Sequence, residues 1–231
     1  MKITTLALFI ATSVTVAQAD FPKPVKQDIE GWPVFVGPEL LKPENSDVWQ
    51  KASRALQHKL FMIKTVMPEN RLHELQKLEI RIELKNPKLS NMQYHPSRDW
   101  LVNHGHDPAL TRQVHIPNAR ALYDEQQILK HPWVVLHELA HSYHDQVLGF
   151  DHAGIKAAYQ KAVRDKKYDA VLLYSGQTVK HYAVTDHKEF FAEFTESYFG
   201  MNDFYPFLYV ELKQYDPDLF LLMQSIWGKR P

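Results

Sequence analysis

The chain has 231 residues, no cysteine, 13 histidines and a formal net charge of zero at pH 7. The missing cysteine excludes disulfides, thiolate metal sites and a cysteine nucleophile. The balanced charge, with scattered basic residues, gives no footprint for nucleic acid or an anionic membrane surface.

In chain order, Met1-Lys2 precedes an apolar run from Ile3 to Val16, and Ala17-Gln18-Ala19 stands before Asp20. A basic start, a short apolar stretch and an A-x-A ending read as a secretory signal peptide over residues 1–19. The run is too short for a membrane-spanning helix. The expectation is an exported protein, periplasmic or extracellular, whose mature chain has no integral membrane segment and depends on packing, with a metal if one is bound, for stability.

Residues 20–231 read as a single domain. Its N-terminal lead carries Pro22, Pro24, Pro33, Pro38 and Pro43 and reads as extended, with one short strand at 34–36. Asp47 is placed to cap a helix running to about Val66, where Val48, Ala52, Ala55, Leu56, Leu60 and Ile63 share one side and Pro68 follows. Leu78, Ile80, Ile82 and Leu84 alternate with Glu79, Arg81 and Glu83, the pattern of a half-buried strand. A polar stretch over 85–107 follows, then a short strand at 114–116 and a helix over 118–129. An exposed sheet edge, for which 114–116 is the candidate, would suit a substrate bound as an added strand.

His137-Glu138-Leu139-Ala140-His141 lies in an apolar segment that opens at Pro132 and stops at Gly149. On a helix the two histidines, four apart, share a face and can reach one ion, while Glu138 is placed to take a proton from water that the ion activates. A second helix is expected over 152–164, strand-like segments at 170–174 and 178–184, a helix from Asp186 to Phe199 closed by Gly200, and a last helix over 218–227. The pattern is α+β.

Two histidines leave a catalytic zinc site one protein ligand short. Glu189 and Glu193 stand four apart on a helix crowded by Phe190, Phe191, Phe194, Tyr198 and Phe199, which marks it as buried. Carboxylates there need a cation or strong donors. Glu189 can be the third ligand, and Glu193 can accept a hydrogen bond from a ligating histidine. The plainer alternative is a surface helix with two solvated glutamates. Asp186 suits an N-cap, although it or His187 could ligate in another helix register. His144 lies roughly 10 Å along the helix from His137, too far to share its ion, and reads as a rim or supporting group. The remaining histidines carry no spacing that singles them out.

His137-Glu-Leu-Ala-His141 followed by Glu189-Phe-Phe-Ala-Glu193, with Tyr182 seven residues before Glu189, resembles the zinc metallopeptidases of the anthrax lethal factor catalytic-domain type, within the gluzincin group. The resemblance covers roughly residues 130–205, the expected catalytic core. It implies a zincin-like fold, mostly helical with a small mixed sheet, and one Zn2+ held by His137, His141 and Glu189. Glu138 would be the general base, Tyr182 a stabiliser of the transition state, and Glu193 the hydrogen-bond partner of His137. The implied activity is hydrolysis of a peptide or protein substrate, with endopeptidase action favoured. A zinc module without catalysis and a zinc hydrolase of non-peptide amides or esters are the competing readings. An intact Glu138 speaks against the first, because a purely structural site has no need of that acid.

Overall fold

The computed structural model describes residues 21–230, so the expected signal peptide lies outside the described residues. Within them the chain is a mixed α+β fold, mainly helical, with one small mixed sheet.

The lead is more ordered than its prolines suggest. Strands β1 (Val25–Ile29) and β2 (Trp32–Val36) form an antiparallel hairpin. Glu30 and Gly31 both take positive φ, the geometry of a two-residue turn that matches strand twist. Gln76 caps this turn by donating to the Glu30 carbonyl, and a Cβ on Gly31 would collide with that amide. Helix α1 (Ser46–Val66) buries Val48, Ala52, Leu56, Leu60 and Ile63, the expected stripe. Asp47 is not its cap: it lies inside the first turn and pairs with Lys51. A short helix α2 (Glu69–Leu75) leads into the sheet.

The sheet order is β1-β2-β3-β5-β4, with β3 at Glu79–Ile82, β4 at Gln93–Tyr94 and β5 at Gln113–Ile116. β2, β3 and β5 run parallel, and the two outer strands are antiparallel to their neighbours. Two expectations are corrected here. First, β5 is not an edge. It is buried along its length between β3 and β4, and the edge is β4, which sequence pattern left inside a polar loop. Second, β3 is covered on both faces. Ile80 and Ile82 enter the main core, while Arg81 on the opposite face is only 3% exposed. The excursion over residues 96–110, including α3 (Arg98–Asn103), lies over that second face.

The helix expected over 118–129 is broken. A 3-10 turn (Ala119–Leu122) precedes α4 (Glu125–Lys130), because Asp124 takes an extended conformation and its carboxylate caps α4 at the Gln127 N–H. Then come α5 (Val134–Tyr143), α6 (Ala153–Arg164), a two-residue hairpin β6–β7 (Val171–Leu172, Thr178–Val179), α7 (His187–Phe199), α8 (Tyr209–Tyr215) and α9 (Pro217–Trp227).

The packing of α5 on α7 positions the site. Leu136, Leu139 and Ala140 of α5 and Phe190, Phe191 and Phe194 of α7 are buried in one core. Gly200, just past α7, lets the start of α5 approach: a Cβ there would come within 2.1 Å of the Trp133 indole. Behind α7, Trp227 stacks on Phe191 and donates its indole N–H to Thr195 Oγ1 at 3.0 Å. None of the described helices is long and apolar enough to cross a membrane.

Candidate active site

α5 and α7 bring three potential ligand atoms to one point. His137 Nε2 and His141 Nε2 are 3.1 Å apart, and Glu189 Oε2 lies 3.2 Å from the first and 3.3 Å from the second. For ligands about 2.0–2.1 Å from a tetrahedral ion, neighbouring ligand atoms are separated by about 3.3 Å. The triangle therefore suits one small metal ion, and all three residues line the cleft. The described residues also contain a grouping of His137, Glu193 and Glu196, but it draws on the same imidazole.

The local electrostatics call for a cation. Burial disfavours charge on His137, yet hydrogen bonds to Glu189 and Glu196 and the nearby Glu193 carboxylate outweigh it and hold the imidazole well above its ordinary value. Glu189 also resists burial, because the two histidines stabilise its ionised form and pull it well below the usual carboxylate range. A bound divalent ion would take over the role of that positive charge.

The anchor of His137 is not the expected one. Its Nδ1 donates to Glu196 Oε1 at 2.8 Å. Glu193 Oε1 is 3.7 Å away, beyond hydrogen-bond reach, and Glu193 Oε2 instead accepts from Asn202 Nδ2 at 2.8 Å. Both carboxylates are buried. Burial, together with the charges of Glu196 and Asp203, pushes Glu193 well above the usual range. Sequence reasoning passed over Glu196, although it stands seven residues after Glu189, where two turns return to one helix face.

Glu138, next to His137 on α5, lines the same cleft. It is buried and is raised above its ordinary value mainly by burial, with the Tyr94 backbone of edge strand β4 opposing the shift. Tyr94 is tied down in turn by donating its hydroxyl to Asp145 at 2.6 Å. Tyr182 lies in a 3-10 turn (Tyr182–Val184) just ahead of α7, not in the strand expected over 178–184. Its side chain is half-exposed, and burial and the Glu189 charge raise its hydroxyl, so the phenol keeps its proton as a donor. Both residues line the cleft that holds the ligand triangle, a space of about 1320 Å³.

The rival ligands lie outside the triangle. Asp186 caps α7 by accepting from the N–H groups of Lys188 and Glu189. His187 bonds the Phe150 carbonyl at 2.9 Å. His144 is not on the rim: it is fully buried against Phe150 and Phe191, neither ring nitrogen has a partner among the described residues, and burial lowers it to about 3. His95 and His115 meet at 3.2 Å beneath the far face of the sheet, away from the triangle.

Compared with known proteins, the chain matches no family model, no curated protein and no solved structure.

Proposed function

We propose that the protein is a zinc-dependent peptidase of gluzincin type with a zincin-like fold, exported as its N-terminal sequence suggests. The observation that carries this reading is the triangle of His137, His141 and Glu189 on the floor of an open cleft, with a buried acid, Glu138, on the same helix. A structural site would be closed and four-coordinate, whereas three ligands and an open face suit catalysis.

Zinc, when bound, would supply Lewis acidity and lower the pKa of water to about 7. The remaining work falls to the chain. Glu138 takes the proton of the attacking water and returns it to the leaving amine nitrogen, and its burial-raised pKa suits both transfers. The Tyr182 hydroxyl donates to the developing oxyanion, a contribution of about 2.7–4 kcal/mol by analogy with other oxyanion donors. Glu196 fixes the orientation of His137 through Nδ1.

The test is cleavage of a mixed peptide library by the zinc-loaded protein and by Glu138→Ala. We expect wild type to cut and the variant to be inactive while it retains stoichiometric zinc. Undiminished cleavage by the variant would remove Glu138 from the mechanism, and the absence of any cleavage by wild type would remove the peptidase assignment.

A further inference from the structure

The cleft contains a half-buried lysine whose one hydrogen bond to the described residues goes to a backbone carbonyl. Lys59 comes from the middle of α1, lines the cleft, and donates from Nζ to the Pro132 carbonyl at 3.1 Å, just ahead of α5. An ammonium has three N–H groups, and this is its one hydrogen bond to the described residues. No described carboxylate forms an ion pair with it within 4.0 Å. Of the buried acids behind the site, Glu196 accepts from His137 and favours the Lys59 charge only at longer range, and Glu193 accepts from Asn202.

Partial removal of an ammonium from water is costly, and burial pulls Lys59 below the ordinary lysine value although the Glu196 charge opposes the shift. Packing alone would be served as well by Met or Leu. Arg120 and Lys130 also line the cleft without an ion pair to a described carboxylate, on a wall that carries acids such as Asp124 and Glu189 as well. Pro132 precedes His137 by five residues, about 7–8 Å along a helix. An extended peptide covers that distance in about two residues.

We infer that Lys59 is a specificity-determining residue, whose ammonium receives a substrate carboxylate one or two residues from the scissile bond. The inference rests on the peptidase reading for the meaning of that bond. The carboxylate has two sources: an Asp or Glu side chain in mid-chain, or the C-terminal carboxylate of a short substrate. Both offer the same acceptor to Nζ.

The experiment uses matched fluorescent peptides in three forms: Glu scanned through each position, Gln at the same positions, and a free C-terminal acid against its amide. Cleavage is measured with the zinc-loaded protein, and binding with zinc-loaded Glu138→Ala, alone and combined with Lys59→Met or Lys59→Arg. Wild type should favour carboxylate over amide about tenfold or more at one position. Lys59→Met should erase that preference, chiefly through KM, and Lys59→Arg should keep most of it. The arm that shows the preference identifies the source. Equal handling of Glu and Gln peptides and of acids and amides by wild type overturns the inference, even if Lys59→Met fails to fold. So does a preference that survives Lys59→Met. Cleavage without preference would leave the peptidase reading standing. Carboxylate-selective binding without any cleavage would sink that reading and spare the Lys59 subsite.

Discussion

Two buried clusters of histidine and glutamate lie on opposite sides of this fold, and only one is arranged like a metal centre. Between α5 and α7, His137, His141 and Glu189 aim one atom each at a common point open to the cleft. Beneath the far face of the sheet, the same residue types are strung in a line. His95 Nε2 meets His115 Nδ1 at 3.2 Å, His115 Nε2 lies 3.5 Å from Glu83, and Glu83 pairs with Arg81 at 3.3 Å. In a line the side chains follow one another instead of aiming at one point, and no metal-sized grouping of ligand atoms is found there among the described residues. The contrast teaches that composition does not make a site: helical spacing focuses lone pairs, whereas alternation across strands connects them in series.

The sharpest way to break this contrast is to remove one ligand from each cluster. Glu189→Ala should abolish stoichiometric zinc binding and with it at least about a thousandfold of activity, given what a catalytic metal contributes. Zinc analysis and kcat/KM would check this. His115→Ala should leave zinc content unchanged. Loss of zinc from His115→Ala while Glu189→Ala kept it would reverse the assignment of the two clusters.

A smaller effect distinguishes the two buried glutamates behind His137. Glu196→Gln should weaken zinc binding about 10–100-fold, the usual cost of losing the partner of a ligating histidine. Glu193→Gln should cost less, because Glu193 stands 3.7 Å from Nδ1 and is held by Asn202. Competitive titration with a chelator gives both affinities. A larger loss for Glu193→Gln would restore it as the anchor of His137.

The two clusters also differ in how readable they were. His137 and His141 stand four apart on α5, as Glu189 and Glu193 do on α7, and helical period puts each pair on one face. The α1 and α7 faces were legible for the same reason. Strand β4 is two residues long and its pairing with β5 spans a long excursion, so no local pattern marks it. Arg81 and His115 read as solvent-facing or unremarkable because alternation cannot reveal that residues 96–110 fold back over them. The β1–β2 hairpin was hidden by prolines and by a Glu-Gly turn that is less distinctive than Asn-Gly. Glu196 was available to periodicity, but choosing it over Glu193 required knowing the angle at which α7 meets α5.

On the stability side, Arg81→Met should destabilise the fold by about 3 kcal/mol, the lower end of the cost of stranding a buried ionic partner, here Glu83. Zinc stoichiometry and activity per folded molecule should hold, as measured by urea unfolding alongside metal analysis. Unchanged stability would mean that Glu83 is satisfied by His115 and Asn86 alone.

The smallest effect is the most specific to the linear cluster. Burial, with the charges of His115 and His106 adding to it, lowers His95 from its ordinary 6.5 to about 3. Between those values the unfolded chain binds a proton at His95 that the folded protein refuses. The contribution of His95 to stability is therefore intact above pH 6.5 and lost progressively as pH falls towards 3, by up to about 1.4 kcal/mol per pH unit. The ionised Glu83, held at about 2, adds its own loss in the same direction, but only below its ordinary 4.5. Comparing His95→Phe with wild type between pH 7 and 5 isolates the histidine, because Glu83 and every other buried group stay common to both proteins. With chelator present, loss of metal cannot contribute to the slope. The variant should lose less stability over that interval than wild type, whatever its stability at pH 7. Parallel unfolding curves would show that His95 takes up its proton inside the folded protein and that the line of side chains is open to water.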